Sequence, residues 1–120
     1  MKNKTIIKVS IGDALDTEHN FYLQYENGIL CYGRGGICWE KLPDPTKKQW
    51  RKFWKKINKL EVWDWDEIYS DPDLPDSTQW NIDIHYENKT IKSSGSNKYP
   101  ENYHKFIKGI KKLIGNLDLF

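Results

Sequence analysis

Twice along this chain, an alternating apolar–polar run turns back on itself and gives way to an apolar stripe at helical spacing. This doubled pattern limits the possible folds more than any other feature of the sequence. In the first run, Phe21-Tyr-Leu-Gln-Tyr-Glu-Asn-Gly-Ile-Leu-Cys-Tyr32, the residues Phe21, Leu23 and Tyr25 alternate with Tyr22, Gln24 and Glu26. Asn27-Gly28 is a strong two-residue turn signal, because both positions tolerate positive φ. That turn pairs Tyr25 with Leu30 and Leu23 with Tyr32. In the second run, Trp80, Ile82, Ile84 and Tyr86 alternate with Asn81, Asp83, His85 and Glu87. A turn at Asn88-Lys89 would pair Tyr86 with Ile91 and His85 with Lys92, and would make Tyr86-Glu87-Asn88 equivalent to Tyr25-Glu26-Asn27.

Each hairpin leads to a helix. Trp50, Phe53, Trp54, Ile57 and Leu60 form one stripe, and Tyr103, Phe106, Ile107, Ile110 and Leu113 repeat its spacing. Thr46 followed by Gln49 reads as a capping box at the start of the first helix. Pro100 suits the first turn of the second helix and Gly115-Asn116 its end. Burial then dictates the architecture. Each hairpin has one apolar face and each helix one apolar stripe, and they must cover each other. The expected class is α+β: an antiparallel β-sheet built from two ββα units plus an N-terminal strand (about Thr5 to Ile11), with both helices packed on one face. The first unit covers 20–60, an acidic connector 61–78 and the second unit 79–115. The opposite sheet face should carry Gln24, Cys31, Asp83, His85 and Lys92. The doubling reads equally well as true duplication or as two segments obeying the same folding rules.

At 120 residues the chain supports one core, and six Trp and seven Tyr fill much of it with few side chains. No apolar run is long enough to span a bilayer, and the basic start Met1–Ile7 lacks the apolar region of an export signal. The expected location is therefore cytoplasmic, with Cys31 and Cys38 as reduced, inert thiols. Two Cys without a ligand-spaced His pair do not make a zinc site, and no cofactor is implied. In the acidic connector, Asp71, Asp73 and Asp76 flank Pro72 and Pro75 and lack the glycine and distal glutamate of a calcium loop. The Lys, Asn and Ile richness points to an AT-rich bacterial or phage genome.

The run Asp76-Ser77-Thr78-Gln79-Trp80, a hairpin, then Gly95-Ser96-Asn97-Lys98-Tyr99-Pro100 and a helix resembles a family of small uncharacterised bacterial proteins. Trp50…Phe53-Trp54 and Val62-Trp63-Asp64-Trp65 add to the likeness, which covers roughly Pro43 to Ile114. Ser77 stands where that pattern usually has Gly. The resemblance implies no activity. It implies structural roles: Trp80 in the core, Gly95-Ser96-Asn97 turning the chain, Pro100 starting the last helix.

The candidate sites follow from charge. The net formal charge is only +2, yet Lys48, Arg51, Lys52, Lys55, Lys56 and Lys59 fill the positions that the first apolar stripe leaves free. Seven acids, Glu61 to Asp76, follow with no base among them. A basic face of this kind binds phosphates or an acidic protein surface, and otherwise serves to keep an aromatic-rich domain soluble. The leading expectation is a non-catalytic protein-interaction module of inhibitor, immunity or adaptor type. Its protein partner would contact Lys48, Arg51, Lys52, Lys55, Lys56 and Lys59 together with Asp71, Asp73 and Asp76. The alternative is a nucleic-acid binder using the same basic helix. A third reading, a small enzyme, rests on His85 beside Asp83 as base and orienter. Cross-strand surface pairing is the favoured account of that pair, which ranks the enzyme last, and the sequence pattern assigns no role to His19 or His104. Arg34-Gly35-Gly36 and Gly95-Ser96-Asn97 lack the Gly-Lys-Ser/Thr ending of a phosphate loop and read as turns.

Overall fold

The computed structural model describes residues 5–13, 17–70 and 78–115. Its strands are β1 (Ile6–Asp13), β2 (Phe21–Glu26), β3 (Ile29–Arg34), β4 (Ile37–Lys41), β5 (Ile68–Ser70), β6 (Thr78–Tyr86) and β7 (Lys89–Ser96). Two helices, α1 (Lys47–Lys59) and α2 (Tyr103–Ile114), accompany them. All seven strands join one sheet in the order β4-β3-β2-β1-β6-β7-β5. The sheet is mixed, because β5 runs parallel to β7 while the other neighbours are antiparallel. The class is α+β as expected, but the plan of two hairpins and one added strand is too small. The first unit gains β4 and the connector contributes β5.

The N-terminal strand is central. Val9 pairs with Leu23 on one side and with Ile82 on the other, so β1 joins the two hairpins. The first hairpin takes the expected register, Tyr25 opposite Leu30 and Leu23 opposite Tyr32. Asn27 and Gly28 both have positive φ, +55° and +79°. The second hairpin differs by two residues: Tyr86 pairs with Lys89, His85 with Thr90 and Ile84 with Ile91. Its loop is Glu87-Asn88, with Glu87 at φ +55°. A shift of two keeps every side chain on its expected face, since strand side chains alternate with period two. It does remove the equivalence between Tyr86 and Tyr25, because Tyr86 directly precedes its loop and Tyr25 does not.

Both helices pack on one sheet face. Ile7, Val9, Phe21, Leu23, Leu30, Trp80, Ile82 and Ile84 share one buried core with Phe53, Trp54, Ile57, Phe106, Ile110 and Leu113. Burying this much apolar surface is the main favourable contribution to the fold. An aromatic run ties α1 down: Trp50 stacks on Trp54 (6.0 Å between ring centres), which stacks in turn on Tyr86 (3.8 Å) and Trp63 (6.4 Å). The capping box is present, with Thr46 Oγ1 accepting from the Gln49 amide and Gln49 Oε1 accepting from the Thr46 amide. No helix among the described residues is long and apolar enough to cross a membrane.

The connector has structure of its own. Val62–Asp64 form a 3-10 turn, because Glu61 at φ +56° breaks the direction of α1 and Val62 drops into the core. The chain then reaches the sheet edge, where Ser93 Oγ donates to the Asp66 carbonyl (2.5 Å) and the Ser94 amide to that of Glu67 (2.9 Å). Asp71, Asp73, Asp76 and Ser77 lie outside the described residues.

The motif residues around the last helix have clear jobs. Trp80 is fully buried, and its Nε1 donates to the Lys98 carbonyl (2.8 Å). Gly95 and Ser96 still belong to β7, and the chain turns at Asn97, φ +59°, whose Oδ1 accepts from the Thr78 amide. Pro100 lies a turn before α2 rather than within it, its carbonyl accepting from the Tyr103 amide.

Cys31 and Cys38 are joined in a disulfide, where the sequence leads one to expect free thiols. The reason is the unforeseen β4. Gly35 and Gly36, at φ +60° and +83°, turn the chain so that β4 returns along β3. Cys38 thereby pairs with Gly33, two residues along β3 from Cys31, and 5.8 Å separates the Cα atoms of the two Cys. Gly33 permits this approach, since a Cβ there would lie 1.8 Å from the Ile37 carbonyl oxygen.

Candidate binding face

The fold separates charge into two layers. On the outer side of α1, Lys48, Arg51, Lys52, Lys55 and Lys59 are exposed and Lys56 is half-buried. None of these six forms an ion pair among the described residues, and the exposed Glu61, Asp64, Asp66 and Glu67 do not fold back onto them. Beside α1 lies α2, which adds Lys105, Lys108, Lys111 and Lys112. Counting Lys47, the two helices hold eleven of the nineteen Lys and Arg residues and no Asp or Glu. The rest of the chain has eight basic residues against seventeen acidic ones. The near-neutral total thus conceals a strongly cationic helix layer. The sequence pattern shows only the α1 half of it.

Lys56 sits where the two helices meet. Its stem lies over Gly109, where a Cβ would come within 3.4 Å of Lys56 Cδ. Burial first, and then the cations Lys112, Lys108, Lys105 and Lys59, push the Lys56 ammonium below its ordinary value. Lysines from both helices therefore act on one point. Around that point runs a groove of about 270 Å³, lined by Gln49, Lys52 and Phe53 on α1 and by Gly109, Lys112 and Leu113 on α2.

Among the described residues, the opposite sheet face is polar and no helix packs on it. It carries Gln24, Asp83, His85 and Lys92 as expected, together with Lys8, Ser10 and Tyr22. His85 Nε2 lies 2.9 Å from Asp83 Oδ1, so the structure brings the candidate base and orienter together. Cys31, the thiol expected on this face, is held in the disulfide and is not a nucleophile in that state. Lys8 pairs loosely with Glu26 (3.8 Å), and Tyr22 Oη donates to Gln24 Oε1 (2.7 Å). Burial, then Glu26 and Asp83, raise the Tyr22 phenol above its usual value. These contacts pair strand neighbours within the sheet surface. Among the described residues, no three His, Cys, Asp or Glu side chains are grouped to hold a metal ion.

Compared with known proteins, the chain matches no family model and no curated sequence.

Proposed function

We propose that this chain is a non-catalytic binding module whose two-helix layer docks on an acidic surface of a protein partner. One observation supports this above the rest: α1 and α2 lie side by side, and together they carry eleven basic residues and no Asp or Glu of their own. Such a layer attracts an acidic partner, raises the association rate and disfavours basic ones. The acidic remainder of the chain, including Asp71, Asp73 and Asp76, offers bases on the same partner a second contact.

A nucleic-acid partner is the second reading, and the added lysines of α2 favour it. Two features of the layer favour protein. Arg51 is the single arginine on either helix, whereas bidentate recognition of phosphate and guanine draws on arginine. Most helix aromatics also turn inward: Phe53, Trp54, Tyr103 and Phe106 are buried, and the half-buried Trp50 is already stacked on Trp54, which leaves little platform for stacking bases. The deciding experiment titrates the protein at ~150 mM salt with labelled polyglutamate, mixed-sequence duplex DNA and single-stranded RNA. Polyglutamate should bind and the nucleic acids only weakly. Replacing Lys52, Lys55 and Lys56 by Glu should abolish the polyglutamate signal without unfolding the domain. Submicromolar affinity for DNA or RNA, with none for polyglutamate, would place nucleic acid first.

A further inference from the structure

Resting on that reading, we infer that the groove between α1 and α2 is a pocket for an apolar side chain carried by an acidic segment of the partner. The groove joins two chemistries. Its rim is cationic, with Lys52 and Lys56 from α1 and Lys112 from α2. Its floor is apolar, formed by the buried Phe53, Leu113 and Gly109. A surface built to attract only carboxylates has no need of an apolar trough, and a purely hydrophobic site has no need of the lysines. Both together suit an acidic peptide that presents one leucine- or phenylalanine-sized group, since ligand sites combine an apolar lining with a few polar groups that fix orientation.

Gly109 is the second, independent indication. It is buried in the interior of α2, where glycine is the poorest helix former after proline. Packing against the described residues does not demand it. A Cβ there would meet Lys56 Cδ at 3.4 Å and Cγ at 4.0 Å, both of them atoms of a flexible stem. By contrast, Gly33 and Gly95 have backbone or a fixed ring in the way. Residue 109 therefore gives up helix propensity with no closer contact among the described residues to explain it, and what its missing side chain leaves open is the groove. The ammonium of Lys56, already destabilised by burial and then by its cationic neighbours, gains when a carboxylate arrives at the rim.

The test uses fluorescein-labelled peptides of about ten residues, Asp/Glu-rich and differing only at a central Leu, Phe or Ser, read by anisotropy at ~150 mM salt. The Leu or Phe peptide should bind at least about tenfold tighter than the Ser peptide, a difference of about 1.4 kcal/mol. Gly109→Leu fills the groove, and should reduce the Leu-to-Ser affinity ratio, both peptides measured on that variant, from about tenfold to about one. As a check that does not depend on this variant folding, amide shifts of Gly109, Lys56 and Lys112 in the unmodified protein should respond to the Leu peptide beyond their response to the Ser peptide. Equal affinities for Leu and Ser peptides would overturn the pocket while leaving the acidic-partner reading intact. If no acidic peptide binds and mixed-sequence DNA binds at submicromolar concentration, the docking reading falls, and the pocket with it.

Discussion

Replacing Gly95 by Ala should destabilise this domain far more than a single methyl group suggests. Gly95 lies directly opposite Trp80 in the β6–β7 ladder. A Cβ at residue 95 would sit 2.2 Å from Trp80 Nε1, 2.5 Å from its Cε2 and 2.6 Å from the Lys98 carbonyl oxygen. The indole has nowhere to go: it is fully buried, with Trp65, Tyr69, Tyr99 and Tyr103 packed around it. Overpacking of this kind costs roughly 1–3 kcal/mol. Displacing the indole also breaks its hydrogen bond to the Lys98 carbonyl, about 1 kcal/mol more. The expected loss is about 2–4 kcal/mol, a large fraction of the ~5–15 kcal/mol that holds a domain folded. Urea unfolding followed by tryptophan fluorescence and far-ultraviolet dichroism measures it, and with a slope near ~1–2 kcal/mol/M the midpoint should fall by about 1–4 M. The same change at Gly109, where only the Lys56 stem is near, should instead stabilise by roughly 0.5–1 kcal/mol. In a Trp80→Phe background the Gly95→Ala penalty should shrink by at least ~1 kcal/mol, because the nearest ring atoms are gone. A Gly95→Ala protein within ~0.5 kcal/mol of the parent, or a penalty unchanged when Trp80→Phe is already present, would refute the reasoning.

Phe106 is fully buried at the centre of α2, so Phe106→Ala should cost about 3–5 kcal/mol by calorimetry or urea titration, with smaller losses if the site collapses. The Cys31–Cys38 link closes a short loop of seven-residue separation, and Cys38→Ser should cost about 2–3 kcal/mol by the chain-entropy estimate. Thiol titration of the denatured, unreduced protein should find no free Cys; two reactive thiols would show the bond absent. Burial, then Tyr99, hold the Tyr103 phenol well above its ordinary value, so the folded protein keeps a proton that the unfolded chain releases. Stability should be intact below about pH 10 and should decline as pH rises further; Tyr103→Phe should flatten that decline in alkaline thermal melts.

The first hairpin is legible because Asn27-Gly28 supplies two residues that accept positive φ. The second reads two residues out of place, because Glu87, a residue no turn rule selects, takes the positive φ there. The helices are legible down to the Thr46–Gln49 cap, since apolar spacing and capping chemistry are local signals. β4 leaves no such trace. Ile37-Cys38-Trp39-Glu40-Lys41 does not alternate cleanly, and Ile37 and Trp39 stay exposed on the sheet edge. With β4 unseen, nothing in the pattern brings the two Cys together. β5, three residues long, is held by Ser93, Ser94 and their carbonyl partners, contacts made across the fold. The candidate face divides the same way. The α1 cations follow from the positions its stripe leaves open. That α2 lies alongside and extends the same layer is a tertiary fact, with Gly109 as the one local hint.

The central place of β1 also governs how the domain assembles. Synthesis delivers β1, β2 and β3 early, and they can pair at once, as Val9 does with Leu23. The second partner of Val9 is Ile82, which leaves the ribosome much later, after α1 and the connector. Until then one edge of β1, with Ile7 and Val9 beside it, stays open to any other extended chain, and α1 has only half its sheet to cover. Ladders between strands so far apart in sequence form slowly, and waiting intermediates of this kind are prone to aggregate. Stalling translation before residue 78 should therefore leave the nascent chain protease-sensitive and chaperone-bound, and release of β6 should be the event that closes the fold.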